Sequence, residues 1–170
     1  MIRKSVTAAR RHSKNFLICG VLACVLLSAV GCKKSPQELQ SQLFDAVKHH
    51  DVQKAQSLIQ EGADVKQPEA DGGWSALHYA ARVGDVDMVG LLLKAGADPN
   101  YYGAAVGQTG STRINTKPVV VAQATLQLAR MTQSNSSIHF DPPDLDAALR
   151  QPDAVEKLEK TIEILSAAPK

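Results

Sequence analysis

From Pro36 onward, apolar side chains recur at the three- and four-residue spacing of helices that bury one face. Leu39, Leu43, Ala46 and Val47 share such a face, and Ser35-Pro36-Gln37-Glu38 before them reads as a capping box with proline in the first turn. His50 and Asp51 follow, and Asp51 is placed to cap a second helix running through Glu61. The next block, Ala76 to Val83, is long enough for two helical turns and presents Leu77, Ala80 and Ala81 to neighbours. Gly84 suits a left-handed turn and Asp85 a helix cap. Val86, Val89, Leu92 and Leu93 then form the face of a helix that ends at Gly96. A less regular pair closes the chain: an opening helix near Thr116 to Ala122, and a final one aligning Val155, Leu158, Ile162 and Leu165. Between them, Met131 to Asp153 reads as an insertion, with Ser-Asn-Ser-Ser and Asp-Pro-Pro breaks around a short helix at Leu145–Arg150.

The first two pairs are copies of one another. Sliding Leu43–Asp64 forward by 34 positions superposes Leu43, Ala46, Asp51, Val52, Leu58, Gly62, Ala63 and Asp64 on identical residues, eight of 22 positions. A fixed period of this length is the mark of a stacked repeat. In the third copy Pro118 takes the place of Ala76, a shift of 42, so Tyr101 to Asn115 forms a connection about eight residues longer than the period allows.

The second copy reads Gly73-Trp74-Ser75-Ala76-Leu77-His78-Tyr79-Ala80-Ala81, then Gly84-Asp85-Val86, then Leu91-Leu92-Leu93-Lys94-Ala95-Gly96-Ala97-Asp98-Pro99-Asn100. It resembles the ankyrin repeat, with Ser75 for threonine and Ala76 for proline in the opening motif. The resemblance implies an all-α fold: a short ankyrin-repeat solenoid over residues 37–170, with an N-terminal cap, one well-formed repeat and one degenerate repeat. Insertions near 101–115 and 131–153 interrupt it. It also implies that His78 is structural, bonding backbone groups of neighbouring loops, and that finger loops and first helices bind protein partners. Trp74 falls in the repeat opening and Tyr101 and Tyr102 start the longer finger, there either to meet a partner or to pack against adjacent loops, and Arg82 and Arg113 are placed to rim the same surface. Tryptophan and tyrosine are enriched where binding energy concentrates.

The chain ahead of the repeats has a different character. Arg3, Lys4, Arg10, Arg11 and Lys14 precede an apolar run from Phe16 to Val30, which is shorter than the roughly 20 residues a spanning helix needs. A basic region, a short apolar core and small residues describe a secretory signal peptide, residues 1–31. Ala29-Val30-Gly31-Cys32 resembles the lipobox of bacterial lipoproteins. That resemblance implies diacylglyceryl and further acyl (palmitate-type) modification of Cys32, cleavage before it, and a short tether over 32–36. Lys33, where inner-membrane lipoproteins carry aspartate, implies an outer-membrane anchor facing the periplasm.

Removing residues 1–31 lowers Lys plus Arg from 19 to 14 and leaves Asp plus Glu at 17, so the remainder carries a formal −3 rather than the whole chain's +2. The basic balance belongs to the leader and gives no support for nucleic-acid binding. Cys19 and Cys24 lie in the leader too, so with Cys32 acylated no disulfide is expected. Neither a phosphate-binding glycine loop, a Gly-x-Ser-x-Gly nor a His-Glu-x-x-His is present, and no cofactor, metal or small-molecule substrate is expected. His49 and His50 read as solvated residues at a helix end, and His139 has no evident partner. Asp141, Asp144 and Asp146 lack the spacing of a calcium loop and read as helix caps and a turn. The expectation is a non-enzymatic binding protein, serving as immunity to a secreted effector or as a scaffold for an envelope enzyme. The alternatives are a structural protein that binds peptidoglycan and, most weakly, a hydrolase using His139 with Asp141 or Asp144.

Overall fold

A computed structural model describes residues 34–69, 73–106, 113–135, 137, 139 and 143–169. The elements below all belong to the unit Pro36–Lys170. Residues 1–31 and Cys32 lie outside the described residues.

Helices α1 (Pro36–Lys48) and α2 (Val52–Glu61) form the first pair, and α3 (Ala76–Val83) and α4 (Val86–Lys94) the second. A two-stranded antiparallel hairpin follows, β1 (Gly103–Val106) with β2 (Arg113–Thr116), pairing Gly103 with Thr116 and Val106 with Arg113. Then come α5 (Pro118–Ser134), the short α6 (Pro143–Leu149) and α7 (Ala154–Ala167). First helices stack in order, α1 on α3 and α3 on α5, while α2 packs on α4 and α4 on α7. The result is a mostly helical ankyrin-type solenoid of three helix pairs, with α6 inserted against α3, α5 and α7.

The 34-residue period is visible in individual hydrogen bonds. Asp51 Oδ1 accepts from Lys54 N at 2.9 Å, and Asp85 Oδ1 accepts from Met88 N at 3.0 Å, each satisfying an orphan donor in the first turn of a helix. Leu58 O accepts from Ala63 N, and Leu92 O from Ala97 N, both at 2.9 Å. Asp64 and Asp98 bond the backbone two residues on, at 2.9 and 2.8 Å. At the inter-helix turn Gly84 has φ +72°, and His50 takes the equivalent place with φ +57°.

The core is continuous across the pairs. Leu43, Leu77, Ala80, Ala81, Met88, Val89 and Leu92 are fully buried in one cluster, joined by Phe44, Leu58, Ala122 and Leu165. Phe44 and Met88 lie outside the expected apolar faces, whereas Val86 and Leu93 are only half-buried. Each first helix is gripped from two sides, so its buried surface is wider than one stripe.

The C-terminal part departs from expectation in two ways. The long connection between second and third pairs is a β-hairpin at its base, not an irregular loop. The insertion also begins after Ser134, because α5 is 17 residues long where α3 has eight. The extra turns of α5 are used: Ala129 forms a satellite core with Leu145, Leu149 and Leu158, flanked by Leu126 and Leu128. The inserted helix therefore covers apolar surface that the longer α5 creates.

Candidate functional site

His78 sits at the junction of the fingers and is fully buried. Its Nε2 lies 2.9 Å from the Thr116 carbonyl, which can only accept, so Nε2 carries the proton. Nδ1 then accepts from the Ser75 hydroxyl at 2.8 Å and from the Ser75 backbone N–H at 3.3 Å. Burial lowers the imidazole pKa below its ordinary 6.5 and outweighs the opposing bond to Thr116, so the ring is neutral at pH 7. Gly103 completes the junction: a Cβ there would stand 2.9 Å from the ring's Cε1 and Nε2. Only glycine lets the second finger approach this closely.

Two of the expected contact residues are turned into this junction. Trp74 stacks on His78 with ring centroids 5.7 Å apart and meets Tyr79 edge-on at 5.2 Å, and its indole N–H is buried. Tyr101 meets His78 edge-on at 6.0 Å and is half-buried. Both pack the fingers together. Tyr102 differs: it is 61% exposed, and Lys117 Nζ lies 5.1 Å from its ring centre while bonding Asn100 Oδ1 at 3.1 Å. Arg82 is half-buried on α3, apart from this group in sequence, and the Arg113 side chain lies outside the described residues.

A second group was not legible in sequence. Between α1 and the first finger runs a groove of about 380 Å3, lined by Gln37, Gln40, Ser41, Phe44, Asp45, Lys48 and the finger residues Gln67, Pro68 and Glu69. Lys48 Nζ bonds Glu69 Oε1 at 2.6 Å and lies 4.8 Å from the Tyr79 ring centre. Tyr79 donates its hydroxyl to Glu69 Oε2. Burial raises the Glu69 pKa, yet hydrogen bonds from Lys48 and Tyr79 together hold it below its ordinary value. Burial and the same carboxylate push the Tyr79 phenol far upward. Lys48 stands 21 residues before Glu69, and no local pattern links the two. The only sequence signal was that the tyrosine follows His78 on α3.

Two readings of histidines need correction. His50 is not merely solvated: its Nδ1 lies 3.1 Å from Asp85 Oδ2 in the second pair. His139 has partners, since its Nδ1 lies 3.3 Å from Asp146 Oδ2 and 3.1 Å from Arg150 Nη2. Asp146 is inside α6 rather than at a cap, and it receives Arg150 Nε at 2.9 Å and Nη2 at 3.2 Å. Helical spacing brings Asp146 to Arg150, but only the fold brings His139 back to them. Asp141 and the Asp144 side chain lie outside the described residues. Among the described residues, no group of three His, Cys, Asp or Glu is placed to hold a metal ion, and no helix is long and apolar enough to cross a membrane.

Residues 72–103 match the family model of the ankyrin repeat, covering the second helix pair and its approach to the hairpin. The chain is 42% identical over 72 residues to mouse 2-5A-dependent ribonuclease, covering 42% of this chain and 10% of that protein. It is 40% identical over 82 residues to bovine mitochondrial disaggregase, 48% of this chain and 12% of the relative. A putative ankyrin repeat-containing protein of Treponema pallidum is 45% identical over 64 residues, 38% of this chain and 21% of the relative. The chain thus spans about a fifth or less of each of these proteins, and the likeness is to their ankyrin portions. Ankyrin repeats generally mediate protein–protein binding.

Proposed function

We propose that this protein is a lipid-anchored ankyrin-repeat protein of the bacterial outer membrane, facing the periplasm, that holds a protein partner on its first helices and fingers. The observation that carries the binding role is the open groove beside α1, with the buried Phe44 at its base and a rim of glutamine, serine and paired charges. Apolar ground with a few placed polar groups is the usual make-up of an interface centre. The exposed Tyr102, backed by Lys117, extends the surface along the second finger. Support for the anchor is the basic leader, the short apolar run and Ala29-Val30-Gly31-Cys32. Acyl chains contribute about 0.8 kcal/mol per buried CH₂, so two or three give lasting attachment.

Within this class the roles are immunity to a toxin delivered to the periplasm or support of an envelope enzyme. A toxin gene beside this one selects the first. The test is capture from cross-linked envelope extract with residues 33–170 as bait. Ser41→Arg and Tyr102→Ala are the controls, because both positions are exposed and neither packs the core. A partner held by wild type and lost in either control places the surface. A partner held by all three moves it elsewhere on the stack. Capture of none, with sedimentation on purified cell wall, replaces the reading with peptidoglycan binding.

A further inference from the structure

A cleft of about 650 Å3 opens at the turn end of the stack, lined by residues 48–50, 83–87, 147–148, 151, 153–154 and 157. It holds a contact with no counterpart in the 34-residue period. At the first inter-helix turn a histidine occupies the left-handed position that Gly84 fills in the second, a conformation costly for a residue with a Cβ. The backbone bonds of the two turns match, with Asp51 N on Ala46 O and Asp85 N on Ala80 O. The turn itself therefore does not require a histidine. What the side chain adds is a reach across to the next pair, where Nδ1 meets Asp85 Oδ2 at 3.1 Å. Asp85 is already committed through Oδ1 to capping α4, so one carboxylate both starts that helix and receives the first pair.

We propose that His50 and Asp85 form a clamp between the first and second helix pairs whose strength rises as the medium acidifies. A carboxylate only accepts, so the neutral imidazole donates from Nδ1, and protonation at the other nitrogen leaves that bond in place. It then becomes a charge-assisted bond between opposite charges, which is stronger. The side chain of His50 is 46% exposed and that of Asp85 15%, so a proton has access while the acceptor is largely shielded from water.

The nearby cations are paired with carboxylates, so they do not oppose this direction. Lys48 and His49 flank His50 on its own turn, Asp87 stands beside Asp85 on α4, and Asp153 and Lys157 face the cleft from α7. Lys48 is bonded to Glu69, and Lys157 to Asp153 at 2.8 Å. Among the described residues, helix α6 contributes Ala147 and Ala148 to the lining. Burial works to raise the Asp85 pKa, but the bonds from His50 and Met88 N outweigh it and keep the value below 3.8, so the acceptor stays ionised through the range in which histidines titrate. The clamp joins α1 to the repeat beyond it, and α1 is one wall of the groove assigned above to the partner.

The test is amide hydrogen exchange of α1 and α2 in the full-length protein at pH 8.0 and 5.5, corrected for intrinsic rates. Wild type is compared with His50→Gly, Asp85→Asn and the double variant; asparagine keeps the helix cap. The ratio of wild-type to His50→Gly protection is expected to grow by about two- to fivefold on acidification, the range of a partly exposed ion pair. In the Asp85→Asn background, changing His50 is expected to produce no such growth. A ratio that does not change with pH, or growth that survives in the Asp85→Asn background, overturns the clamp. It does so whether or not a partner is found.

Discussion

Residues 36–98 and residues 101–167 both become helix pairs of one stack, yet capping bonds recur with a period of 34 only in the first stretch. There Asp51 and Asp85 each cap the helix behind them, and matching turns follow at Asp64 and Asp98. In the second stretch Lys117 and Asp153 precede α5 and α7 without a side-chain cap bond. Packing takes over instead: Pro118, Ala122, Ala129 and Leu158 are fully buried, and α6 supplies Leu149 to a small core of its own. A repeat whose local signals have decayed keeps its place in a stack if its neighbours can bury it, which is the nearest-neighbour logic of solenoids.

That difference can be broken most severely at the shared core. Leu77→Ala, at a fully buried site in α3, is expected to cost about 3–5 kcal/mol in urea unfolding. Leu149→Ala, in the satellite cluster, is expected to cost about 2 kcal/mol, at the low end of the same range. Equal losses would mean that the insertion is as central as the periodic half. Next comes Gly84→Ala. The positive φ is strained for alanine, and the new Cβ would stand 3.0 Å from Leu158 Cγ. About 1–3 kcal/mol of destabilisation is expected, although His50 tolerates the equivalent conformation one repeat earlier.

The junction between the halves should respond to pH. His78 is held neutral, so its folded pKa lies below the unfolded value of about 6.5. Its contribution is fully present above that value. It is lost as pH falls from there toward the folded pKa, because the unfolded chain then binds a proton that the native ring refuses. One proton gives a slope of at most about 1.4 kcal/mol per pH unit. Exchange at residues 103–106 and 113–116 should report it first, since Thr116 O is released when the junction opens. This sign is opposite to that of the His50 clamp, so protection of the hairpin and of α1–α2 should diverge on acidification. The smallest contrast is between caps. Asp51→Ala is expected to cost about 1 kcal/mol, while Asp153→Ala should lower the urea midpoint by less, because Asp153 makes no cap bond and loses only its exposed ion pair with Lys157.

Much of this is legible in the sequence. The period, the capping aspartates, the left-handed turn at Gly84 and the apolar faces of α1, α3 and α4 are local signals, set by residues close in the chain. Trp74 and Tyr101 show the limit: residue type and loop position mark a contact residue equally well whether the ring faces a partner or a neighbouring loop. The Lys48–Glu69–Tyr79 group and the groove beside it were invisible, because their members lie on separate elements and share no spacing.

The sequence alone determined the repeat, its two-helix unit and the chemistry of its turns, since each depends on residues within one or two helical turns of each other. Only the tertiary structure decided which aromatics are spent on joining fingers, that His50 reaches Asp85, and that His139 returns to Asp146 and Arg150. Those contacts follow from where whole helix pairs come to rest. That placement is set by burial summed over the stack, not by any short stretch of chain.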